Sequence, residues 1–371
     1  MHIIESAVLG QLLEAIAARG YALIGPTLRE GAIVCDTIRS VDDLPRGYGD
    51  VQSPARYELR RVDDGTYFSY VVGPVSWKKF LFPPRMTLFS ATRTGKTMSV
   101  VPGSNGTAPP MLAFIGVRPC ELSAIDVQDR VFLQGDYIDP TYKSIRDNCF
   151  FLVVNCAVTG GNCFCASMGT GPAAKAGYDI VLTEIVDGDH HFFAAEAGSD
   201  RGKEVLDAVP HASAGDVEKE QAAGVTARAA SSLTKQMDVE GLPQILKENF
   251  DHPAWDDVAR RCLLCANCTM VCPTCFCSTV EDTTDLGGTR ADRLRRWDSC
   301  FTQDFAKVAG GNVRPSARAR YRQWLTHKLS NWVDQFGTMG CVGCGRCITW
   351  CPAGIDITVE AGMIRGHNTQ E

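Results

Sequence analysis

Two copies of one cysteine pattern lie in the C-terminal part of the 371-residue sequence. Each copy reads C-x2-C-x2-C-x3-C-P, and the copies occupy residues 262–273 and 341–352. In two-cluster ferredoxins with this spacing, three thiolates of one copy bind one cubane and the fourth reaches the other cluster. The spacing therefore predicts an electron carrier with two [4Fe–4S] clusters. The predicted ligands are Cys262, Cys265, Cys268 and Cys351 for the first cluster, and Cys341, Cys344, Cys347 and Cys272 for the second.

Zinc sites and disulfides are the alternatives for these cysteines. Pairs spaced C-x2-C occur in zinc knuckles, but a zinc site would match the doubled spacing and the terminal Cys-Pro only by coincidence. The chain has 17 cysteines, an odd number. In a chain of this length, closely spaced pairs suit a metal better than a disulfide framework. Iron–sulfur chemistry is thus the favoured interpretation.

Four further cysteines are predicted to meet in the N-terminal half. Residues 112–117 and 150–155 are short apolar runs that predict buried strands, and residues 121–132 between them predict a helix. In such a βαβ unit the carboxyl ends of both strands open on one edge of the sheet, where sites usually lie. A third [4Fe–4S] cluster is predicted here, on Cys120, Cys156, Cys163 and Cys165. The alternatives are a structural Cys120 with a partial site, or a glycine-rich anion loop at 169–172.

The remaining cysteines and the basic residues carry weaker signals. Cys275, Cys277 and Cys300 could hold another cofactor, supply alternative ligands or be small buried apolar residues, whereas Cys35 and Cys149 are predicted to be core cysteines. The basic residues between the motifs predict a solvated helix face, a docking surface for an acidic partner, or positive charge that raises cluster potentials. These residues are Arg290, Arg293, Arg295, Arg296, Arg314, Arg318, Arg320, Arg322 and Lys328.

The order of the patterns predicts two domains. Residues 1–240 are predicted to form an α/β (α+β) domain with a partly parallel sheet. Residues 241–371 are predicted to form an all-helical ferredoxin-like domain, because the insertion between the two motifs is far too long for a compact ferredoxin. Apolar periodicity and turn signals predict further elements. These are helices at 6–19, 255–260, 304–307 and 318–332, and strands at 33–35, 57–59 and 67–72.

Composition and missing motifs exclude several classes of function. The net charge of −6 argues against nucleic acid as a partner, and no apolar run reaches the length of a membrane span. Clustered thiols without an export signal predict the cytoplasm. The sequence contains no dinucleotide fingerprint, phosphate loop or nucleophile elbow. No catalytic residue is therefore predicted, and the chain is expected to move electrons for catalysis on another chain.

Taken together, these stretches resemble the β (iron–sulfur) subunit of cytoplasmic NAD(P)-linked [NiFe] hydrogenases, also called sulfhydrogenases. The A subunit of anaerobic sulfite reductase belongs to the same extended family. Besides the two motifs, the resemblance rests on residues 73–78, 82–84, 116–122, 163–172, 272–277, 298–301, 318–322 and 327–328.

This resemblance implies an electron relay inside a larger complex. The implied partners are the [NiFe] large and small subunits and an FAD- and NAD(P)-binding subunit with its own iron–sulfur cluster. The first alternative is a relay that feeds the sirohaem subunit of an anaerobic sulfite reductase. The second is an iron–sulfur oxidoreductase subunit that binds flavin in its N-terminal domain, although no fingerprint supports flavin on this chain.

Overall fold

The structure is a computed structural model that describes residues 1–62, 64–71, 73–103 and 109–366. Its strands are β1 (His2–Glu5), β2 (Ala22–Arg29), β3 (Ala32–Thr37), β4 (Tyr48–Ser53), β5 (Arg56–Arg61), β6 (Arg85–Thr94), β7 (Thr97–Pro102), β8 (Leu112–Val117), β9 (Cys149–Val154), β10 (Ile180–Asp187), β11 (His190–Ala197), β12 (Ala212–Ser213), β13 (Ser278–Thr284), β14 (Arg290–Trp297), β15 (Lys307–Val308) and β16 (Gly311–Asn312). Its α-helices are α1 (Leu9–Ala17), α2 (Lys78–Leu81), α3 (Pro119–Leu133), α4 (Pro140–Arg146), α5 (Asp200–Leu206), α6 (Asp216–Ser231), α7 (Leu242–Glu248), α8 (Ala254–Arg261), α9 (Asn267–Met270), α10 (Ala317–Thr326), α11 (Trp332–Phe336), α12 (Arg346–Thr349) and α13 (Ile357–Arg365).

A mixed sheet forms the centre of the N-terminal half. Among the described residues it contains eight strands in the order β12-β1-β11-β10-β9-β8-β2-β3. Strands β2, β8, β9 and β10 are parallel to their neighbours within this group, and the outer strands are antiparallel. The predicted α/β domain with a partly parallel sheet is therefore confirmed, as is the predicted β8–α3–β9 unit. All residues of β8 and β9 are buried, because parallel strands are covered on both faces.

Each face of this sheet packs against its own hydrophobic core. Alternate residues of β8 point to opposite faces: Ala113 and Ile115 join the core that contains α1, whereas Leu112 and Phe114 join the core that contains α3. Full burial of one such large side chain contributes about 1.5–3 kcal/mol. The sheet is therefore held rigidly between two layers, and its carboxyl edge can present side chains at fixed positions.

The segment between the two cysteine motifs is not all helical, which corrects the prediction for the C-terminal part. In the described residues, β13 and β14 pair with each other and then with β6 and β7, in the order β13-β14-β6-β7. The β-branched residues of β13 and the glycine turn before β14 favour this hairpin. One sheet thus joins strands from both sides of the predicted boundary at 240/241, which stays a prediction.

Two smaller predictions were wrong. Residues 304–307 are not helical, because a glycine pair at 310–311 turns the chain between β15 and β16. Residues 67–71 form no strand, and Val72 of that prediction lies outside the described residues. The Glu184 carboxylate accepts hydrogen bonds from the backbone N–H groups of Tyr67 and Phe68. This one remote side chain takes the place of a neighbouring strand.

The other predicted elements are confirmed. Helix α1, preceded by one 3-10 turn, accounts for residues 6–19; α8 accounts for 255–260; and α10, a π-helical turn (His327–Asn331) and α11 form one run over 317–336. Strands β3 and β5 contain the two short predicted runs. Within the described ranges, no helix combines the length and the apolar character needed to span a membrane.

Candidate iron–sulfur centres

The two cysteine motifs fold into loops of the same backbone conformation. Leu264 and Ala266 of the first motif have φ of 54° and 66°, and the equivalent Gly343 and Gly345 of the second have 65° and 71°. A left-handed φ costs a non-glycine residue roughly 1–2 kcal/mol. Such strain persists mainly where the surroundings impose it, often at ligand sites. In each loop the two left-handed residues flank the second cysteine of the motif. A short helix, α9 or α12, follows directly.

The structure brings the first predicted set of cysteines together around a cavity. Its lining includes Cys262, Cys265, Cys268 and Cys351, together with the aromatic rings of Phe301, Tyr321 and Trp324. The Cys268 thiol is within electrostatic range of the other three cysteines. Burial raises the pKa of Cys268 well above its usual value, so metal binding there must release a proton. Cys265 is exposed, which places this set nearest the surface.

The second predicted set also comes together, deeper in the molecule. The Cys347 thiol is within electrostatic range of Cys341, Cys344 and Cys272. Burial raises the pKa of Cys341 to about 12. Cys347 additionally interacts with Cys268 of the first set, so the two sets are neighbours.

The third predicted set lies at the carboxyl edge of the large sheet, where the βαβ argument placed it. Cys120 is the second residue of α3, shortly after β8, and interacts with Cys165 and Cys156. Cys163 interacts with the same two residues. Burial raises the pKa of Cys165 to about 12. Within the described residues, no group of three or more His, Cys, Asp or Glu side chains is close-set enough to hold a single metal ion.

The third set packs directly against the loop of the second motif. The Phe164 N–H donates to the Gly343 carbonyl at 2.8 Å, and the Thr170 hydroxyl donates to the Val342 carbonyl at 2.7 Å. A Cβ on Gly343 would lie 2.7 Å from the Cys165 backbone, and one on Gly345 would lie 2.3 Å from the Asn162 carbonyl oxygen. Both glycines are therefore required by close backbone contact as well as by their φ.

Replacing Gly345 with alanine tests this contact. Left-handed strain of about 1–2 kcal/mol adds to overpacking of about 1–3 kcal/mol, so we expect unfolding free energy to fall by roughly 3 kcal/mol. Gly354→Ala is the matched control: Gly354 has φ of 64°, but its added Cβ would meet nothing closer than 3.7 Å. Anaerobic urea unfolding should separate the two variants. Equal losses would contradict the contact.

Cys275, Cys277 and Cys300 lie close to the first and second sets. Cys275 hydrogen-bonds to Cys272, and with Lys328 it holds the pKa of Cys272 well below its usual range. Cys277 and Cys300 form another thiol pair, whose hydrogen bond lowers the pKa of Cys277 to about 7. These contacts place all three residues near a predicted cluster without making them a fourth complete set.

Two buried lysines near the second set were missed or misjudged from the sequence. Lys328 is not part of a solvated helix face: its side chain is buried in the π-helical turn and donates to Cys272 Sγ at 3.3 Å. The thiols of Cys272 and Cys275 raise the pKa of Lys328, although burial acts in the opposite direction. Lys78 is also buried and donates to the Cys272 carbonyl at 2.9 Å. Burial lowers the pKa of Lys78. In the sequence, Lys78 was indicated only as the last residue of the stretch 73–78, one of those on which the family resemblance rests.

The other predicted basic residues divide between surface and interior. Arg290, Arg293 and Arg296 lie on strand β14, not on a helix, and pair with acidic neighbours. Arg295 pairs with Asp139. Arg320 is buried and donates to the Phe301 carbonyl. The basic residues between the two motifs therefore do not form one continuous helix face.

A buried ion pair joins the second motif to the N-terminal half. Arg346 Nη2 lies 2.6 Å from Glu121 Oε1, and the two side chains are 3% and 4% exposed. Arg346 Nε also donates to the Gly73 carbonyl at 2.9 Å. The same guanidinium hydrogen-bonds to Cys344. No local pattern in the sequence indicates this pair, because 225 residues separate the two partners.

Comparison with known proteins agrees with this geometry. Residues 261–355 match the family model described as a 4Fe-4S dicluster domain. This part of the chain is therefore a dicluster iron–sulfur domain. The chain is 33% identical to the sulfhydrogenase 2 subunit beta of Pyrococcus furiosus over 324 residues, which cover 85% of this chain and 90% of that protein. The chain belongs to the family of sulfhydrogenase β subunits, and the resemblance inferred from sequence is confirmed. No solved structure matches it.

Proposed function

We propose that this chain is the electron-transfer iron–sulfur subunit of a multisubunit, cytoplasmic, NADP(H)-linked [NiFe] hydrogenase. Membership of the sulfhydrogenase β family and the dicluster domain support this assignment. The observation that carries it is the serial arrangement of three cysteine sets within one chain. [4Fe–4S] clusters bound at these sites would supply one-electron carriers.

The donor groups at each set fit iron–sulfur clusters. The first set comprises Cys262, Cys265, Cys268 and Cys351; the second comprises Cys341, Cys344, Cys347 and Cys272; and the third comprises Cys120, Cys156, Cys163 and Cys165. Each supplies four thiols, the ligand number that a cubane takes. The left-handed loops and flanking glycines let backbone N–H groups approach cluster sulfides. The buried cations near Cys272 and Cys344 offset the negative charge of such a group.

The second set lies between the other two. Cys163 of the third set contacts the Cys344 carbonyl, with 3.9 Å between Sγ and oxygen. Cys268 of the first set is within electrostatic range of Cys272. Electrons would therefore pass from the sheet edge through the second set to the first, or in reverse. At the far end, Cys265 is exposed and Leu263 is 66% exposed, so a partner subunit could approach the first set closely.

The partners proposed for this relay are the [NiFe] large and small subunits and an FAD/NAD(P)-binding subunit with its own iron–sulfur cluster. No catalytic residue is assigned to this chain. The sulfhydrogenase relative favours a hydrogenase over the sulfite reductase alternative. Neither comparison favours flavin on this chain.

The metal content of the native complex tests the function. We expect the complex that co-purifies anaerobically with this chain to contain nickel and no sirohaem, with flavin on a different subunit. Sirohaem without nickel would overturn the hydrogenase assignment. Flavin released from the isolated chain would overturn the relay assignment.

Replacing Cys163 with alanine tests the third cluster. We expect the variant to lose about four of roughly twelve iron atoms per chain, because a cubane needs its fourth thiolate. Iron and acid-labile sulfide should be measured on anaerobically purified protein. Cys35→Ala is the control, since Cys35 is a cysteine of the same half that belongs to no set. Unchanged iron in Cys163→Ala would remove the third cluster from the proposal.

A further inference from the structure

The second cysteine set is bordered by two buried ammonium groups. Lys328 donates to Thr274 Oγ1 at 3.0 Å, to the Gly340 carbonyl at 3.0 Å and to Cys272 Sγ at 3.3 Å. Lys78 donates to the Cys272 carbonyl at 2.9 Å and lies 4.1 Å from the centre of the Trp297 ring. Each side chain is only 3% exposed. Both positive charges therefore lie inside the protein and contact Cys272.

No carboxylate neutralises these two charges in the part of the chain that the structure describes. The ion pairs found there do not include Lys78 or Lys328, and the strongest electrostatic interactions of both lysines are with cysteines. An uncompensated buried charge is costly. A site that holds a cluster with four thiolates is anionic, so it would provide the missing negative charge.

The other two sets have a smaller excess of positive charge. Near the first set, Arg261 is paired with Glu360 and Asp257. Near the third set, Arg118 hydrogen-bonds to Cys156, but the Glu121 carboxylate also faces that thiol and its charge opposes the guanidinium. Arg346 is already paired with Glu121. One carboxylate thus serves two guanidinium groups at the third set, which leaves one positive charge there, against two at the second set.

Reduction of a cluster adds one electron, and no bond forms or breaks. Positive charge near the cluster therefore favours the reduced form, because it attracts the added negative charge. Burial acts in the opposite direction, since a low-dielectric site disfavours added negative charge. The same low dielectric strengthens the attraction of a nearby ammonium. Two ammonium groups beside Cys272 should therefore outweigh the effect of burial.

We propose that Lys78 and Lys328 give the cluster on Cys341, Cys344, Cys347 and Cys272 the highest reduction potential of the three. This inference rests on the proposed function and its ligand sets. The two lysines are positioning residues: they do not carry electrons. An electron that enters at either end would come to rest first at the centre of the series, from which it can leave to either partner.

Anaerobic redox titration of the holo complex, followed by electron paramagnetic resonance, tests the proposal. The signal that disappears in Cys347→Ala identifies the second cluster, and in the wild type it should appear at the highest potential. Lys328→Met should move that signal to a lower potential with unchanged iron, whereas Lys328→Arg, which keeps the charge, should hold it near the wild-type value. Lys79→Met is the matched control, because Lys79 is half-buried and pairs with Asp36.

The outcomes distinguish an error in the role of the lysines from an error in the proposed ligand sets. An unchanged potential in Lys328→Met with full iron would overturn the role of Lys328. If Lys328→Met loses iron, Lys78→Met decides, since the loss of its charge should also lower the potential. A second cluster that is not the first to be reduced in the wild type would overturn the proposed order. Full iron in Cys347→Ala would instead contradict the ligand sets of the proposed function.

Discussion

Replacing Cys347 with alanine should remove about four iron atoms per chain and interrupt reduction of the nucleotide-linked acceptor. Cys347 is within electrostatic range of three cysteines of the second set and also of Cys268 in the first. Loss of this thiolate would therefore remove the middle of the relay, so both ends would be isolated from each other. Dye reduction by H2 at the proposed nickel subunit should survive, because that reaction would need no electron transfer through this chain.

The control for this experiment is Cys149→Ala. Cys149 is a buried cysteine of β9 that donates to the Ile145 carbonyl and belongs to no predicted set. It should keep its full iron content and its acceptor-linked activity. A Cys347→Ala protein with wild-type iron and full NADP-linked activity would show that the ligand assignment is wrong.

Replacing Arg346 with methionine should lower the free energy of unfolding by about 3–5 kcal/mol. The change leaves Glu121 buried without its partner, and the Gly73 carbonyl loses its donor. Because Arg346 lies in the second motif and Glu121 lies in α3, the loss should weaken the contact between the dicluster domain and the large sheet. Anaerobic urea unfolding, followed by visible absorbance and circular dichroism, measures the effect.

Burial is the reason for this large effect, and a surface pair tests that reason. Arg296 and Glu281 lie 2.5 Å apart, much like Arg346 and Glu121, but their side chains are 51% and 43% exposed. Arg296→Met should cost no more than about 1 kcal/mol, as exposed pairs do. In the double variant Arg346→Met/Glu121→Met, much of the stability should return, because neither charge of the pair remains. Additive losses would contradict direct coupling between the two residues.

The sequence predicted those elements whose pattern is local. Strands β8 and β9 and helix α1 were found because apolar spacing within a few residues is enough to identify them. The strand predicted at 67–72 failed because Glu184, more than a hundred residues away, takes the N–H groups that a neighbouring strand would have taken. Strands β13 and β14 were missed because β14 pairs with β6, which lies in the other half of the chain.

The spacing of the cysteines by itself predicted iron–sulfur chemistry and the ligand sets of the first two clusters, because the doubled C-x2-C-x2-C-x3-C-P pattern is the ligand pattern of two-cluster ferredoxins. Only the tertiary structure placed the three sets in series, since their contacts join residues far apart in the chain, such as Cys163 and Cys344. It also decided where charge is buried. Lys78 and Lys328 meet at Cys272 only after folding, and the energy of a charge depends on the medium and the neighbours that folding gives it.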